Sequence, residues 1–543
     1  MKKRTIPALK AALSAALMLA MTSCAASTTN TGVTGAIPQD NDQADIVLCA
    51  GSEHKSLEPI LQQGAGTAGA KLKVKYMGSV DIMLELKNGK SSECDAVLPA
   101  DSLWISLGDQ DKVVKNSKSI YRTPVVLGVK KSVAEALGWT KGNVKVNDIL
   151  QASQSGKLRF MMTSATQSNS GAASYFGFLY AFAGSPDMLS DADLAKPTVV
   201  AKVKSILKGV NRTAGSSGWL KDLFVDKYDY FDAMFNYESM LIEANQKLVQ
   251  QGKEPLYAVY PVDGLAIADA PLAYVNKGDT AKEEIFRKIQ DFMTSADVQK
   301  QLIASGRRAG LGINLDPKAA PAFNPALGFD VSRVLSPINM PSAEVIQKAL
   351  TLYQTTLRKP SLTVYVLDYS GSMDGKPLED LKSSMRVMLD QSLSEKYMLQ
   401  SSPDDVTIVI PFDSNTRSVR TVKGNNSVAL NELWSYINSQ SAGSGTNFYT
   451  PASMALNEIK KYDHEKYSTA IILMTDGEST EGSFEVFKQN AVTTALTGVP
   501  VYSIMFGAAN PSELKALALF SSGKVFDGKN DLIKAFRQAK GYN

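Results

Sequence analysis

Residues 362–373 read LTVYVLDYSGSM. Six apolar or β-branched residues, Leu362–Leu367, form a run that predicts a strand buried on both faces. It ends in Asp368, Ser370 and Ser372, alternate positions separated by Tyr369 and Gly371. An amphipathic helical pattern follows over Pro377–Leu393. Strands are expected at Val406–Phe412, at Ala470–Met474 and at Val499–Phe506, with short ones at Ser418–Val422 and at Val525. Helical spacing fills the gaps at Val428–Ser439 and Phe448–Lys461, from Phe484, from Pro511 and from Asp531. This alternation predicts a doubly wound α/β sheet, and such sheets bind ligands outside the C-terminal ends of their strands.

Three polar clusters fall at that edge: Asp368-x-Ser370-x-Ser372, Thr446 in GSGTNF, and Asp476 in LMTDGES. A hard divalent cation takes oxygen ligands, and one turning segment can offer it a carboxylate and two hydroxyls. The pattern over residues 361–543 resembles the von Willebrand factor type A (VWA, Rossmann-like) domain and its metal-ion-dependent adhesion site. The resemblance implies direct ligation by Ser370, Ser372 and Thr446. Asp368 and Asp476 would act through bound water, and a partner protein would supply a carboxylate as the last ligand. Mg²⁺ is the expected ion, with Mn²⁺ and Ca²⁺ compatible with the same oxygens.

Upstream, Asp45–Ala50 (DIVLCA) is an apolar run that stops at Gly51-Ser52, and a helical pattern follows. Lys71–Met77, Asp95–Leu98 and Tyr121–Val129 are further strand runs. The segments ADIVLCAGSEHKSLEPIL, CDAVLPADS, TPVVLGVKK, TSATQSNSGAASYFGFLYAF and YPVDGLAIADAPLAYV resemble type 2 periplasmic solute-binding proteins of bacterial ABC transporters. That family has two α/β lobes with a ligand cleft between them. TPVVLGVKK would be the first crossing, and Tyr257–Tyr274 the return. Hydroxyls and free N–H groups at helix starts suit a polar or anionic solute. The cleft candidates are Ser52, Asp101, Ser102, Ser168, Asn169, Ser170, Tyr237, Glu238 and Asp263, although Ser, Asn and Asp are equally ordinary helix caps. Gly64, Gly66 and Gly69 spell G-x-G-x-x-G, but a helix precedes them and a strand follows. They read as a flexible loop and not as a nucleotide site.

The formal charge of +4 over 543 residues lies wholly in Lys2, Lys3, Arg4 and Lys10. Lys2, Lys3 and Arg4 precede an apolar run from Ala8 to Met21, which holds Lys10 near its start, and Thr22-Ser23-Cys24 follows, the layout of an export signal. The ending resembles a bacterial lipobox, which implies lipidation at Cys24. Without the signal the chain is neutral, which argues against nucleic acid as a partner. The expected organisation is a signal at 1–24, a tether at 25–44, a solute-binding-protein-like domain at 45–315, a Pro-rich linker with a connecting helix at 316–360, and the VWA domain at 361–543. An exported pair, Cys49 and Cys94, invites a disulfide. The two lie in different predicted strands several residues out of register, so they are read as buried free thiols.

No zinc spacing, nucleophile elbow or P-loop occurs, so a binding protein is expected and not an enzyme. The expected function is that of an extracytoplasmic lipoprotein. Its VWA domain would hold a protein partner through a metal, and its N-terminal domain would hold a small solute or act as a protein-binding module. The alternative is the receptor of an ABC importer with an accessory VWA domain.

Overall fold

The computed structural model describes residues 44–310, 315, 320–507, 511–529 and 531–541. The export signal and Cys24 lie outside the described residues. None of the described helices is long and apolar enough to cross a membrane.

Among the described residues seventeen strands form three sheets. They are β1 (Ile46–Gly51), β2 (Leu72–Met77), β3 (Ala96–Leu98), β4 (Val114–Ser119), β5 (Thr123–Lys130), β6 (Phe160–Thr163), β7 (Val210–Ala214), β8 (Ala233–Tyr237), β9 (Leu256–Val259), β10 (Ala266–Ala268), β11 (Pro271–Val275), β12 (Ser361–Asp368), β13 (Val406–Phe412), β14 (Arg420–Lys423), β15 (Ser468–Thr475), β16 (Val501–Met505) and β17 (Lys524–Asp527). The first lobe has the order β2-β1-β3-β11-β4. The second has β10-β5-β8-β6-β7, with β9 added alongside β5. The chain crosses between lobes from β4 to β5 and returns from β10 to β11, so TPVVLGVKK and the Tyr257–Tyr274 segment lie at the two crossings.

The glycine motif differs from the expected loop. Gly64 and Gly66 lie inside the helix Glu58–Thr67. A Cβ on Gly64 would come within 2.8 Å of the Phe292 ring, so this glycine serves close helix packing.

Cys49 and Cys94 form a disulfide, with their Cα atoms 5.7 Å apart, and this corrects the free-thiol reading. In a straight strand, the pairing of Leu48 with Ala96 would set Cys94 beside Ile46. But Cys94 precedes β3, between bends at Glu93 and Asp95, and the chain folds back there towards Cys49. Both cysteines are fully buried.

From residue 320 onward the proline-rich stretch packs on the second lobe. Phe323, Phe329 and Val331 join Val126, Leu220 and Phe224 in the core of the second lobe. The helix Ala343–Leu352 buries Ile346, Ala349 and Leu350 in the same lobe, and Tyr175 Oη donates to the Ala349 carbonyl at 2.8 Å.

The C-terminal sheet has the order β14-β13-β12-β15-β16-β17, all parallel except the edge strand β14. Central β12 is buried throughout. Leu362, Val364 and Val366 enter one core, while Tyr365 and Leu367 enter the other, as a period of two requires. At its entrance Asp405 accepts from the Ser361 and Ser402 amides and pairs with Arg358.

Two stability outcomes follow. Replacing both Cys49 and Cys94 by Ala should cost about 2–4 kcal/mol in denaturant unfolding, since the bond closes a long loop. Burial alone would raise the Asp405 pKa, but the Arg358 charge holds it at about 2, against 3.8 ordinarily. Its folded-state pKa is therefore depressed. Its contribution is complete above about pH 4 and is lost as pH falls towards 2. In thermal melts, Asp405→Asn should lower the neutral-pH melting temperature and flatten the acid limb across that window.

Candidate functional site

β12 and β15 are parallel neighbours, so Asp368 at the end of one and Asp476 just past the end of the other reach the same sheet edge. The turn after β12 is a short 3₁₀ segment, Gly371–Met373, which leads to the helix Lys376–Leu389. The third loop, between the helices Ser427–Ser439 and Tyr449–Ile459, is tied to it twice. The Gly371 N–H donates to the Ser444 carbonyl at 2.6 Å, and the Gly443 N–H to the Tyr369 carbonyl at 2.7 Å.

These ties bring all five expected metal-site residues together. Asp368 Oδ1 accepts from the Ser370 N–H at 2.7 Å, and Oδ2 from Thr475 Oγ1 at 2.6 Å. Ser372 Oγ donates to Asp476 Oδ1 at 2.8 Å and lies 3.2 Å from Ser370 Oγ. The Cβ position of Gly477 lies 3.4 Å from Thr446 Oγ1 and 3.9 Å from Ser372 Oγ, so both hydroxyls border the same spot. Asp368 and Asp476 are buried, yet among the described residues no ion pair reaches either. Burial pushes the Asp368 carboxyl up to about 6, and raises Asp476 as well. Two buried carboxylates and three hydroxyls form a donor set that suits a hard divalent ion. Such an ion would be held by Ser370, Ser372 and Thr446, with the two aspartates setting its charge balance.

The cleft candidates divide. Ser168, Ser170 and Ser217 form a buried hydroxyl cluster, with Ser217 Oγ 3.0 Å from Ser168 Oγ and 2.8 Å from Ser170 Oγ. Asn169 joins the lobes: it accepts from Trp104 Nε1 at 2.8 Å and donates to Tyr237 Oη at 3.1 Å. Ser52 Oγ accepts the Gly218 N–H across the cleft at 3.0 Å. Others are engaged structurally. Asp101 caps the helix Ser102–Gly108, and the Ser102 N–H donates to Asp269. Asp263 accepts from the Val146 N–H where the helix Val146–Gln154 begins. Glu238 is fully buried, accepting from Arg308 Nε and Nη2, each at 2.7 Å, and from Tyr260 Oη.

Sequence reasoning did not single out Glu53. It and His54 are buried between the strand end and Arg307, with Glu53 Oε1 3.6 Å from His54 Nε2. Burial lifts the Glu53 carboxyl to about 7 and lowers the His54 imidazole to about 3, so His54 is neutral. Arg537, Asp81 and Gln167 were also missed. All three are buried where the C-terminal domain meets both lobes, and no local motif marks them.

Residues 46–308 match the family model described as bacterial extracellular solute-binding protein, and residues 364–536 match that of the von Willebrand factor type A domain. An uncharacterized Synechocystis protein, sll0103, is 29% identical over 185 residues, which are 33% of this chain and 41% of that relative's length. Among solved structures, the sulfate-binding protein SubI of Mycobacterium tuberculosis aligns at 17% identity and a TM-score of 0.37, over 55% of this chain and 95% of that one. The ferric binding protein of Campylobacter jejuni aligns at 14% and 0.43, over 57% and 98%. A von Willebrand factor type A protein of Catenulispora acidiphila aligns at 17% and 0.28, over 35% and 44%.

The site makes a pH-dependent outcome specific. In metal-free protein the raised Asp368 pKa means that its ionised form costs stability as pH rises through about 6. A divalent cation removes that cost and competes with the proton. In differential scanning fluorimetry at pH 7.5, millimolar Mg²⁺ or Mn²⁺ should raise the melting temperature by a few degrees. The gain should shrink below pH 6 and vanish in Asp368→Ala.

Proposed function

Since the chain joins a solute-binding-protein-like domain to a C-terminal VWA domain, we propose that it is an extracytoplasmic binding protein, lipid-anchored through Cys24. Its C-terminal domain holds a protein partner through a divalent metal. The observation that carries this reading is the meeting of Asp368, Ser370, Ser372, Thr446 and Asp476 at one sheet edge, with two buried carboxylates that no basic residue neutralises among the described residues. The bound ion supplies Lewis acidity. Ser370, Ser372 and Thr446 as hydroxyl ligands would leave such an ion short of negative charge and open to a carboxylate from outside. Asp368 holds the Ser370 amide and so orients the turn, and Asp476 accepts from Ser372. The chain in this reading binds and does not catalyse.

The N-terminal domain takes a small polar solute between its lobes. The buried hydroxyl cluster of Ser168, Ser170 and Ser217 supports a small polar ligand. The importer-receptor reading has less support, because the C-terminal domain packs against both lobes where they meet.

Capture of envelope proteins on the immobilised full chain tests the metal reading. With Mg²⁺ present, one partner should be retained. EDTA or Asp368→Ala should reduce its recovery at least about tenfold, while Ser102→Ala leaves it unchanged. Capture indifferent to both treatments would remove metal bridging from the proposal.

A further inference from the structure

The two lobes touch through backbone, and glycine makes this possible. A Cβ on Gly78 of the first lobe would lie 2.2 Å from the Gln167 carbonyl oxygen of the second. A Cβ on Gly218 of the second would lie 2.7 Å from the Ser52 carbonyl oxygen of the first. The Val80 N–H donates to the Gln167 carbonyl at 3.3 Å, and the Gly218 N–H to Ser52 Oγ at 3.0 Å. The cleft is therefore shut, and its shut form is closely fitted.

The C-terminal domain sits on that closure. Arg537, in the last helix, Leu532–Gly541, is 2% exposed. Its Nε donates to Asp81 Oδ1 of the first lobe at 2.7 Å, and Nη2 donates to the Thr166 carbonyl of the second lobe at 2.8 Å. Nη1 donates to the Tyr397 carbonyl of its own domain. Gln167 donates back to the Arg537 carbonyl, and Lys534 of the same helix pairs with Glu93 of the first lobe at 2.9 Å. Trp219 of the second lobe packs against the C-terminal domain's core. A cavity of about 390 Å³ remains at the junction, walled by Ser52 and Gly78, by Ser216 and Lys221, and by Asp527 and Gln538. Entry to the lobe junction from that side therefore runs under the C-terminal domain.

We propose that the C-terminal domain is the clamp of the inter-lobe cleft: Arg537 bonds both lobes at once, and the cleft opens only when the last helix withdraws. The physical ground is that a guanidinium keeps its charge when buried and needs Asp81 and two carbonyls to be satisfied. Opening the lobes separates Asp81 from Thr166, so one of them must leave Arg537. Docking thus favours the closed state, and a ligand that binds the closed cleft favours docking in equal measure. The proposal rests on the reading that the cleft takes a solute only for its biological purpose. The clamp itself is measurable without one.

Native-state hydrogen exchange on the full chain is the test, comparing wild type with Arg537→Gln and with Asp81→Asn. The second variant keeps an oxygen that can accept the Gly78 N–H at its helix start, so it separates clamp loss from helix loss. Peptides covering residues 78–82 and 216–220, which carry the cross-lobe amides, should exchange about tenfold faster or more in both variants. Peptides within β5 and β12 should keep wild-type protection. If Arg537→Gln also deprotects β12, Asp81→Asn decides. Unchanged exchange at the cross-lobe amides in a natively protected Asp81→Asn protein overturns the clamp. This result is independent of whether any solute is found. A solute that binds a protein with an unaltered junction would leave the function standing and the clamp refuted.

Discussion

A buried guanidinium cannot shed its proton, and Arg537 is buried where three bodies meet. Its needs are met only by a carboxylate from one lobe, a carbonyl from the other and a carbonyl from its own domain. Removing one partner of such a pair typically costs about 3–5 kcal/mol, because the remaining charge stays buried. The relative placement of the lobes and of the C-terminal domain therefore depends on this contact more than on any single apolar one. The surrounding apolar packing, including Trp219, supplies area but little direction.

The C-terminal sheet serves two faces of this arrangement. The ends of β12 and β15 carry the oxygen-rich site, while the last helix carries Arg537. The two are packed in one core: Phe536, next to Arg537, lies 6.1 Å from the Tyr365 ring on β12. The charge logic differs between them. At the sheet edge two carboxylates are buried with hydroxyls and no countercharge among the described residues, which favours an added cation. At the lobe junction three buried arginines have their counterparts within the chain: Arg537 with Asp81, Arg308 with Glu238, Arg307 with Glu243.

Polar residues at helix starts carry two meanings, and the cleft shows both. Asp101 and Asp263 satisfy backbone amides of the helices beside them. Ser168 and Ser170 instead turn towards Ser217, and Asn169 links Trp104 to Tyr237 across the lobes. Both groups are small polar residues beside helix starts. What separates them is which side of a loop faces the other lobe, and that depends on where the chain crosses between lobes.

The sequence by itself determined the local grammar. Buried-strand runs such as LTVYVL, alternating with helical periodicity, specify a parallel sheet, and D-x-S-x-S after such a run specifies where small oxygen side chains collect. Thr446 and Asp476 were legible because each follows its own element at a predictable sheet edge. The tertiary structure alone decided what depends on two distant segments meeting. The bends at Glu93 and Asp95 bring Cys94 to Cys49 where a straight strand would not. The prolines after residue 320 read as a linker, yet Phe323, Phe329 and Val331 found apolar surface on the second lobe. Arg537 sits in an ordinary amphipathic helix pattern, and only docking turns it into a bond between lobes 371 residues back, at Thr166, and 456 back, at Asp81. Periodicity reports which face of an element is buried. It carries no information about which partner buries it.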